Sequence, residues 1–408
     1  MNDSSTSKQI EEFKNELIKS GSKDLSLPVF DQINVKSLQL MRLKKDFGSD
    51  SSISEPELTD DFGFVFANNQ LTSLKIPTKY LDQGLVITDL KTAQAKYSEL
   101  FRTYFAQLIT AREDLLTYEH YCRLNGGVFI YVPDELKVND TLQAYFSNNP
   151  NKSQSTQVIL VVGKNAKLSM TENQVATELG VGDYSTFCEV YSQSGANLSY
   201  VVNDQAATDG HNYFYRSFNC GSRSVVNLTS GEFTKGNVLV NNKISLFGND
   251  STGEVKTVAI AQGDQTAAIN SRVTNFGLRT RGNILQHGVI LDQAKLVFNG
   301  IGQIVKGARG ADSQQENRVL MLSKKARGDA NPILLIDEND VTAGHAASVG
   351  RIDEEQLYYL ESRGLNSDIA KRLIIKGFLE SVITVVESKR TRSMLRSVIE
   401  RSLGIADE

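Results

Sequence analysis

Between residues 151 and 331 the chain runs for 181 residues without a proline, although prolines stand at Pro28, Pro56, Pro77, Pro133, Pro150 and Pro332. The same tract holds 19 of the 30 glycines. Proline cannot donate to a β-ladder and is confined to edges and bulges, so a long proline-free stretch punctuated by Gly and Asn favours many continuously paired strands. Short apolar or alternating runs fall at 158–162, 196–202, 224–230, 238–246, 255–260 and 295–298. Turn residues such as Gly163-Lys164-Asn165, Gly248-Asn249-Asp250 and Gly263-Asp264 separate them. The tract reads as all-β.

Residues 165–170, 195–200, 225–230 and 255–260 share an offset of 30, with Leu168, Leu198, Leu228 and Val258 in register. A fixed period of this size suggests stacked units, each burying its apolar edge against the next. A parallel β-helix satisfies it, and a β-sandwich with coincidental spacing is the alternative.

The flanks differ. Residues 8–19 place Ile10, Phe13, Leu17 and Ile18 on one helical face, and 92–121 carry a longer helix before Gly126 and Gly127. After Gly350 the period returns to about 3.6. Asp353 and Gln356 form a capping-box start, Gly364 suits the end of that helix, and Asn366-Ser367 open the next. Ile369, Leu373, Ile374, Phe378, Val382 and Ile383 make its apolar stripe, and 387–404 form a basic segment. That segment is either a solvated helix face or a docking surface for an acidic partner. Three regions follow: helical 1–125, a β core at 126–345 and helical 346–408.

With 44 Lys and Arg against 48 Asp and Glu, the formal charge of −4 gives no net pull on phosphate backbones, so nucleic acid is not the expected partner. Cys122, Cys188 and Cys220 form no CxxC pair or zinc spacing, which fits a reducing cytosol. The polar start at 1–9 has no secretory pattern, and no apolar run approaches a membrane span. The expected location is cytoplasmic.

Catalytic motifs are missing. Gly300, Gly302 and Gly307 imitate a phosphate loop, but Ala308 and Arg309 follow where Lys and Ser or Thr are required, so these glycines read as tight turns and ATP hydrolysis is not expected. There is no GxSxG elbow, and His120, His211, His287 and His345 lie at no metal-ligand spacing. The first three read as structural. Cys188 and Cys220 read as buried small hydrophobes, and nothing marks Cys122 as activated. The acidic run 337–340 lacks the central Gly of a cation loop and reads as a solvated turn.

Residues 334–364, LLIDENDVTAGHAASVGRIDEEQLYYLESRG, closely resemble the C-terminal signature of the SufB/SufD family, subunits of the bacterial SUF iron-sulfur cluster assembly scaffold. Residues 298–323, FNGIGQIVKGARGADSQQENRVLMLS, and 126–146, GGVFIYVPDELKVNDTLQAYF, match as well, so the resemblance spans about 100–390. Within the family the chain is similar to the SufD-like branch. His345 is followed by Ala346 where SufB-like members carry Glu, and 316–325 lack the cysteine on which those members build a nascent cluster. Ala343 stands where SufD-like members often have cysteine, and no Trp is present.

The resemblance implies a right-handed parallel β-helix flanked by helical regions, a heterodimer with a SufB-like paralogue, and a SufC-like ABC-type ATPase docked on the C-terminal helices. Tyr358, Tyr359, Arg363 and Lys376 lie in the segment for that docking. His345 is the residue left to ligate iron or a nascent cluster at the SufB-like interface, held transiently, with no stably bound cofactor and no catalytic residue. Competing readings are a purely structural interaction subunit, a homodimer paired through open β edges, and a β-helical carbohydrate-processing enzyme. The missing Trp and the helical C-terminus argue against the last.

Overall fold

The computed structural model describes residues 8–28, 56–147, 152–175, 182–384, 386 and 389–403. The first helix is α1 (Lys8–Ser20), followed by strands β1 (Gly63–Ala67) and β2 (Gln70–Lys75), helix α2 (Thr78–Leu81) and strand β3 (Val86–Asp89). Helices α3 (Leu90–Lys96), α4 (Ser98–Tyr104) and α5 (Leu115–Cys122) come next. The long strand series opens with β4 (Gly126–Val132), β5 (Lys137–Ser147), β6 (Gln154–Val162), β7 (Lys167–Val175), β8 (Tyr184–Ser192), β9 (Asn197–Gln205), β10 (Ala207–Cys220) and β11 (Val225–Glu232). It continues through β12 (Lys235–Leu246), β13 (Thr252–Ala261), β14 (Thr266–Asn275), β15 (Arg281–Ile290), β16 (Lys295–Ile304), β17 (Ala311–Met321), β18 (Arg327–Ile336) and β19 (Val341–Arg351). Helices α6 (Glu354–Ser362), α7 (Ser367–Ile383) and α8 (Lys389–Ser402) end the described chain.

From β4 onward, successive strands alternate between two parallel sheets. One runs β4-β6-β8-β10-β12-β14-β16-β18, the other β5-β7-β9-β11-β13-β15-β17-β19, forming a parallel β-solenoid of about seven turns. Every interior strand is hydrogen-bonded on both sides, which is why the tract tolerates no proline. The first proline beyond it, Pro332, lies in β18, the last strand of its sheet.

The 30-residue repeat is real but drifts. Leu168 pairs with Leu198, yet Leu198 pairs with Val226 and Val226 with Gly253. Leu228, displaced by two residues, keeps its side chain in the interior between Tyr200 and Val255. Val258 is displaced by an odd number, and because side chains alternate faces it points outward, against the C-terminal helices.

Short antiparallel strands close the N-terminal end: β2 pairs with β1, which extends one sheet beside β5, and β3 pairs with β4. Phe62, Phe64, Phe66, Tyr80 and Phe146 plug the interior there. The expected long helix at 92–121 is instead three. Tyr97 leaves helical geometry, Ala106 adopts φ 55°, and an Asp114/Thr117 capping box restarts the chain as α5. These helices bury Phe101, Phe105, Leu116 and Tyr121 on the outer face of the even-numbered sheet.

The C-terminal helices cover the other sheet. Asp353 caps α6, Gly364 takes φ 92° after it, and the Asn366 side chain caps α7. The stripe of α7 is rotated from the expected one: Ile375, Leu379, Val382 and Ile383 are buried against Val258, Ile260 and Val289, whereas Ile369 and Leu373 are exposed. Each such buried aliphatic side chain contributes about 1.5–3 kcal/mol relative to exposure, enough to fix the helix on the sheet. The basic segment becomes α8, whose Leu395, Val398 and Ile399 join this layer while Arg396 pairs with Glu380.

Candidate functional site

The two sheets end together at β18 and β19, and neither strand has a partner on its outer edge within the described residues. His345 sits in the middle of β19, in register with Gln315, which itself pairs with Ile284 and through it with Val255. That column faces inward: Val255 and Ile284 are core residues, and the Gln315 amide donates to the Ile333 carbonyl of β18 at 2.8 Å. His345 inherits the inward orientation, but no further coil covers it, so it is exposed. It also borders an open groove together with Glu254, Lys256, Asn283, Gln314 and Glu316. The same uncovered end leaves Leu335, Ile336 and Val349 exposed, each at 42%.

The chemistry available to this chain alone is narrow. Among the described residues no group of three or more His, Cys, Asp or Glu side chains is arranged to hold a metal ion. No thiolate supports His345: Ala343 stands two residues before it, Ala346 directly after it, and the three cysteines lie elsewhere. Cys188 and Cys220 are interior residues, and burial raises both thiols, Cys220 to about 12. Burial also raises the half-buried Cys122. One imidazole by itself is an incomplete site for iron.

Tyr358 and Tyr359 lie on α6 at 72% and 56% exposure, and the Arg363 guanidinium stands 5.1 Å from the Tyr359 ring centroid. Lys376 projects from α7 and pairs with Glu400 of α8 at 2.5 Å. None of these four lines the groove beside His345. Ile369 and Leu373 of α7 are exposed as well.

Of the other histidines, His120 is buried, stacked on Phe187 at 3.6 Å and bonded to Ser185 at 2.7 Å, and burial lowers it to about 3. His211 meets Asp183 at 3.3 Å. His287 lies between the sheet and α7. Gly300 and Gly302 are not turns: both sit inside β16, where a Cβ would lie 2.7 Å from Gln315 Oε1 and 2.6 Å from Ser313 Oγ respectively. They make room for inward polar side chains, and of the three glycines Gly307 alone has a turn conformation, at φ 98°. Glu338 of the acidic run accepts the Gly307 amide at 2.9 Å.

One interior cluster had no signal in the sequence. Arg216, 1% exposed, reaches Glu172 at 3.1 Å, Asp204 at 2.8 Å and Glu232 at 3.7 Å, all inside the solenoid. Burial drives the Asp204 carboxyl well above the ordinary range against the pull of Arg216, and Glu232 and Glu172 push it further. Only the pairing of coils gathers these residues, so their spacing along the chain says nothing of the contact.

A model of the SUF system FeS cluster assembly SufBD core domain matches residues 145–378, and a SufBD N-terminal region model matches 40–144. The iron-sulfur cluster assembly protein SufD of Bacillus subtilis is 35% identical over 94% of this chain and 91% of its own length. SufBD family proteins of Staphylococcus saprophyticus and Staphylococcus aureus are 25% and 24% identical over 73% of the chain, which spans 65% of their length. No described helix is long and apolar enough to cross a membrane. With two family models in tandem on a solenoid whose last coil carries the signature histidine, the chain belongs to the SufBD family of iron-sulfur cluster assembly proteins.

Proposed function

We propose that this chain is a non-catalytic scaffold subunit of the SUF system. In this reading it pairs through its open solenoid end with a SufB-like paralogue and carries a SufC-like ATPase on its C-terminal helices. The observation that best supports the reading is the pair of uncapped edges, β18 and β19, ending both sheets beside exposed Leu335, Ile336 and Val349. Such edges are templates for strand addition, and β19 carries no Lys or Pro to blunt it. A paralogue ending the same way continues the ladder at β19 and covers the apolar rim, while Pro332 limits pairing along β18.

Iron and the growing cluster are cargo in this scheme. Imidazole is a good iron ligand, and a thiolate from the paralogue beside His345 completes a site that neither subunit holds alone. Because the chain lacks a nucleotide loop, the energy of ATP enters through the partner at Tyr358, Tyr359, Arg363 and Lys376. A rigid-body shift of the docked helices then opens or closes the join at His345. The reduced thiols fit work in the cytoplasm.

The test is anoxic co-expression with the SufB-like and SufC-like chains of the same genome, followed by native mass measurement. A complex of all three is expected; a monomer or homodimer that ignores both partners overturns the reading. Within the complex, His345→Ala is expected to abolish cluster build-up with the subunit composition unchanged. Build-up at the wild-type rate would reduce the chain to a purely structural subunit.

A further inference from the structure

His287, on the outer face of β15 and 3% exposed, is the one histidine whose two ring nitrogens bridge separate elements. Its Nδ1 lies 3.0 Å from the carbonyl oxygen of Phe378 in α7, and its Nε2 lies 3.0 Å from Glu316 Oε1 in β17. The ring stacks on Phe378 at 4.8 Å, and Ser381 Oγ approaches Nδ1 at 3.2 Å while donating to the same carbonyl. Burial favours the neutral acid at Glu316, but the His287 bond and Arg318, 2.9 Å away, overcome it and hold the carboxyl below its ordinary value. A carbonyl and a carboxylate only accept, so the ring can meet either of them only as a donor.

The position of this bridge matters. Glu316 is in register with Ala346, the residue after His345, and β17 is the only strand within the described residues that pairs with β19. The aliphatic contacts of α7 hold the helix on the sheet without direction, whereas the His287 bridge ties one point of α7 to one residue of β17 through directional hydrogen bonds.

We propose that His287 and Glu316 form a latch that transmits displacement of α7 to the edge strand carrying His345, making His287 a positioning residue for the join between subunits. The proposal rests on the reading that the ATPase docks on the C-terminal helices.

Deuterium uptake in 341–351 tests it, measured on the full chain with and without the SufC-like ATPase and ATP, alongside the Kd of the ATPase. In the wild type, docking is expected to change uptake in β19. With His287→Ala or Glu316→Ala the Kd stays within about twofold, since the docking side chains are untouched, and the change in β19 falls at least about fivefold. Glu316→Gln retains transmission, because an amide of the same reach keeps a hydrogen bond to Nε2. Full transmission in both alanine variants overturns the latch.

If the wild-type chain does not bind the ATPase, the docking reading fails by itself, and the latch is then decided in the free chain. There His287→Ala is expected to raise uptake in 341–351 while Glu316→Gln does not, and equal uptake overturns it. Should His287→Ala fail to fold, Glu316→Ala removes the bridge from its more exposed side and decides the same question.

Discussion

Single residues in this molecule are ruled by which face of a coil they occupy. Arg216 is tolerable in the interior because three carboxyls surround it, and removing one partner of a buried ionic group costs about 3–5 kcal/mol. Arg216→Met is expected to lose that much in urea denaturation. His120 makes stability depend on pH. It stays neutral in the folded chain down to about 3, whereas the unfolded side chain takes up its proton near 6.5. Between those values the unfolded state binds more protons, so this residue removes about 2 kcal/mol between pH 7 and pH 5. Glu189, raised by burial to about 7, works in the opposite sense and holds an extra proton in the folded state. Comparing wild type with His120→Gln isolates the first effect: the variant should show a shallower loss on acidification. The structural role of His120 is readable from the sequence but its pH effect is not, because its burial depends on Phe187 and Ser185, which lie on a strand of the solenoid.

At the scale of elements, alternation and turn residues were readable and register was not. The proline gap identified the paired tract, and Leu168 with Leu198 had the true spacing of one coil. The next coils are shorter, and a period imposed through Val258 crosses to the opposite face. Helix caps at Asp353 and Asn366 were visible because capping is local, whereas the buried stripe of α7 was chosen by the sheet beneath it. Corner glycines belong to this scale too. A Cβ on Gly248 would stand 1.9 Å from the Ser222 amide nitrogen of the coil below, whereas Gly263 at φ 65° has nothing within 4 Å. Gly248→Ala is therefore expected to cost about 3 kcal/mol or more through overpacking between coils. Gly263→Ala should cost only about 1–2 kcal/mol of backbone strain, a difference that thermal melting resolves.

For the whole molecule, the two ends of the solenoid are unlike. The N-terminal end is finished by short antiparallel strands and an aromatic plug, and the C-terminal end stops with its interior in view. His345 was identifiable from the family signature, but its exposure follows from the coil that is not there, which no local pattern encodes. Leu335→Lys and Val349→Lys place charge on that rim. In the proposed pairing, each is expected to weaken association with the SufB-like chain by at least about tenfold, or about 1.4 kcal/mol, with the melting temperature of the isolated chain unchanged. Sedimentation of mixtures checks the first outcome and thermal melting the second.

The stacking of coils also makes the molecule a ruler. Neighbouring strands lie about 4.8 Å apart, so adding or deleting one coil lengthens or shortens the rod by that step and by no smaller amount. Because α7 rests on β13 and β15, its distance to the β19 edge is counted back from the finished end. Coils gained or lost near β7 would change how far the N-terminal helices stand from β19 while leaving the spacing between the C-terminal helices and His345 as it is. Solenoids of different length can in this way differ in reach and still keep the same final coil.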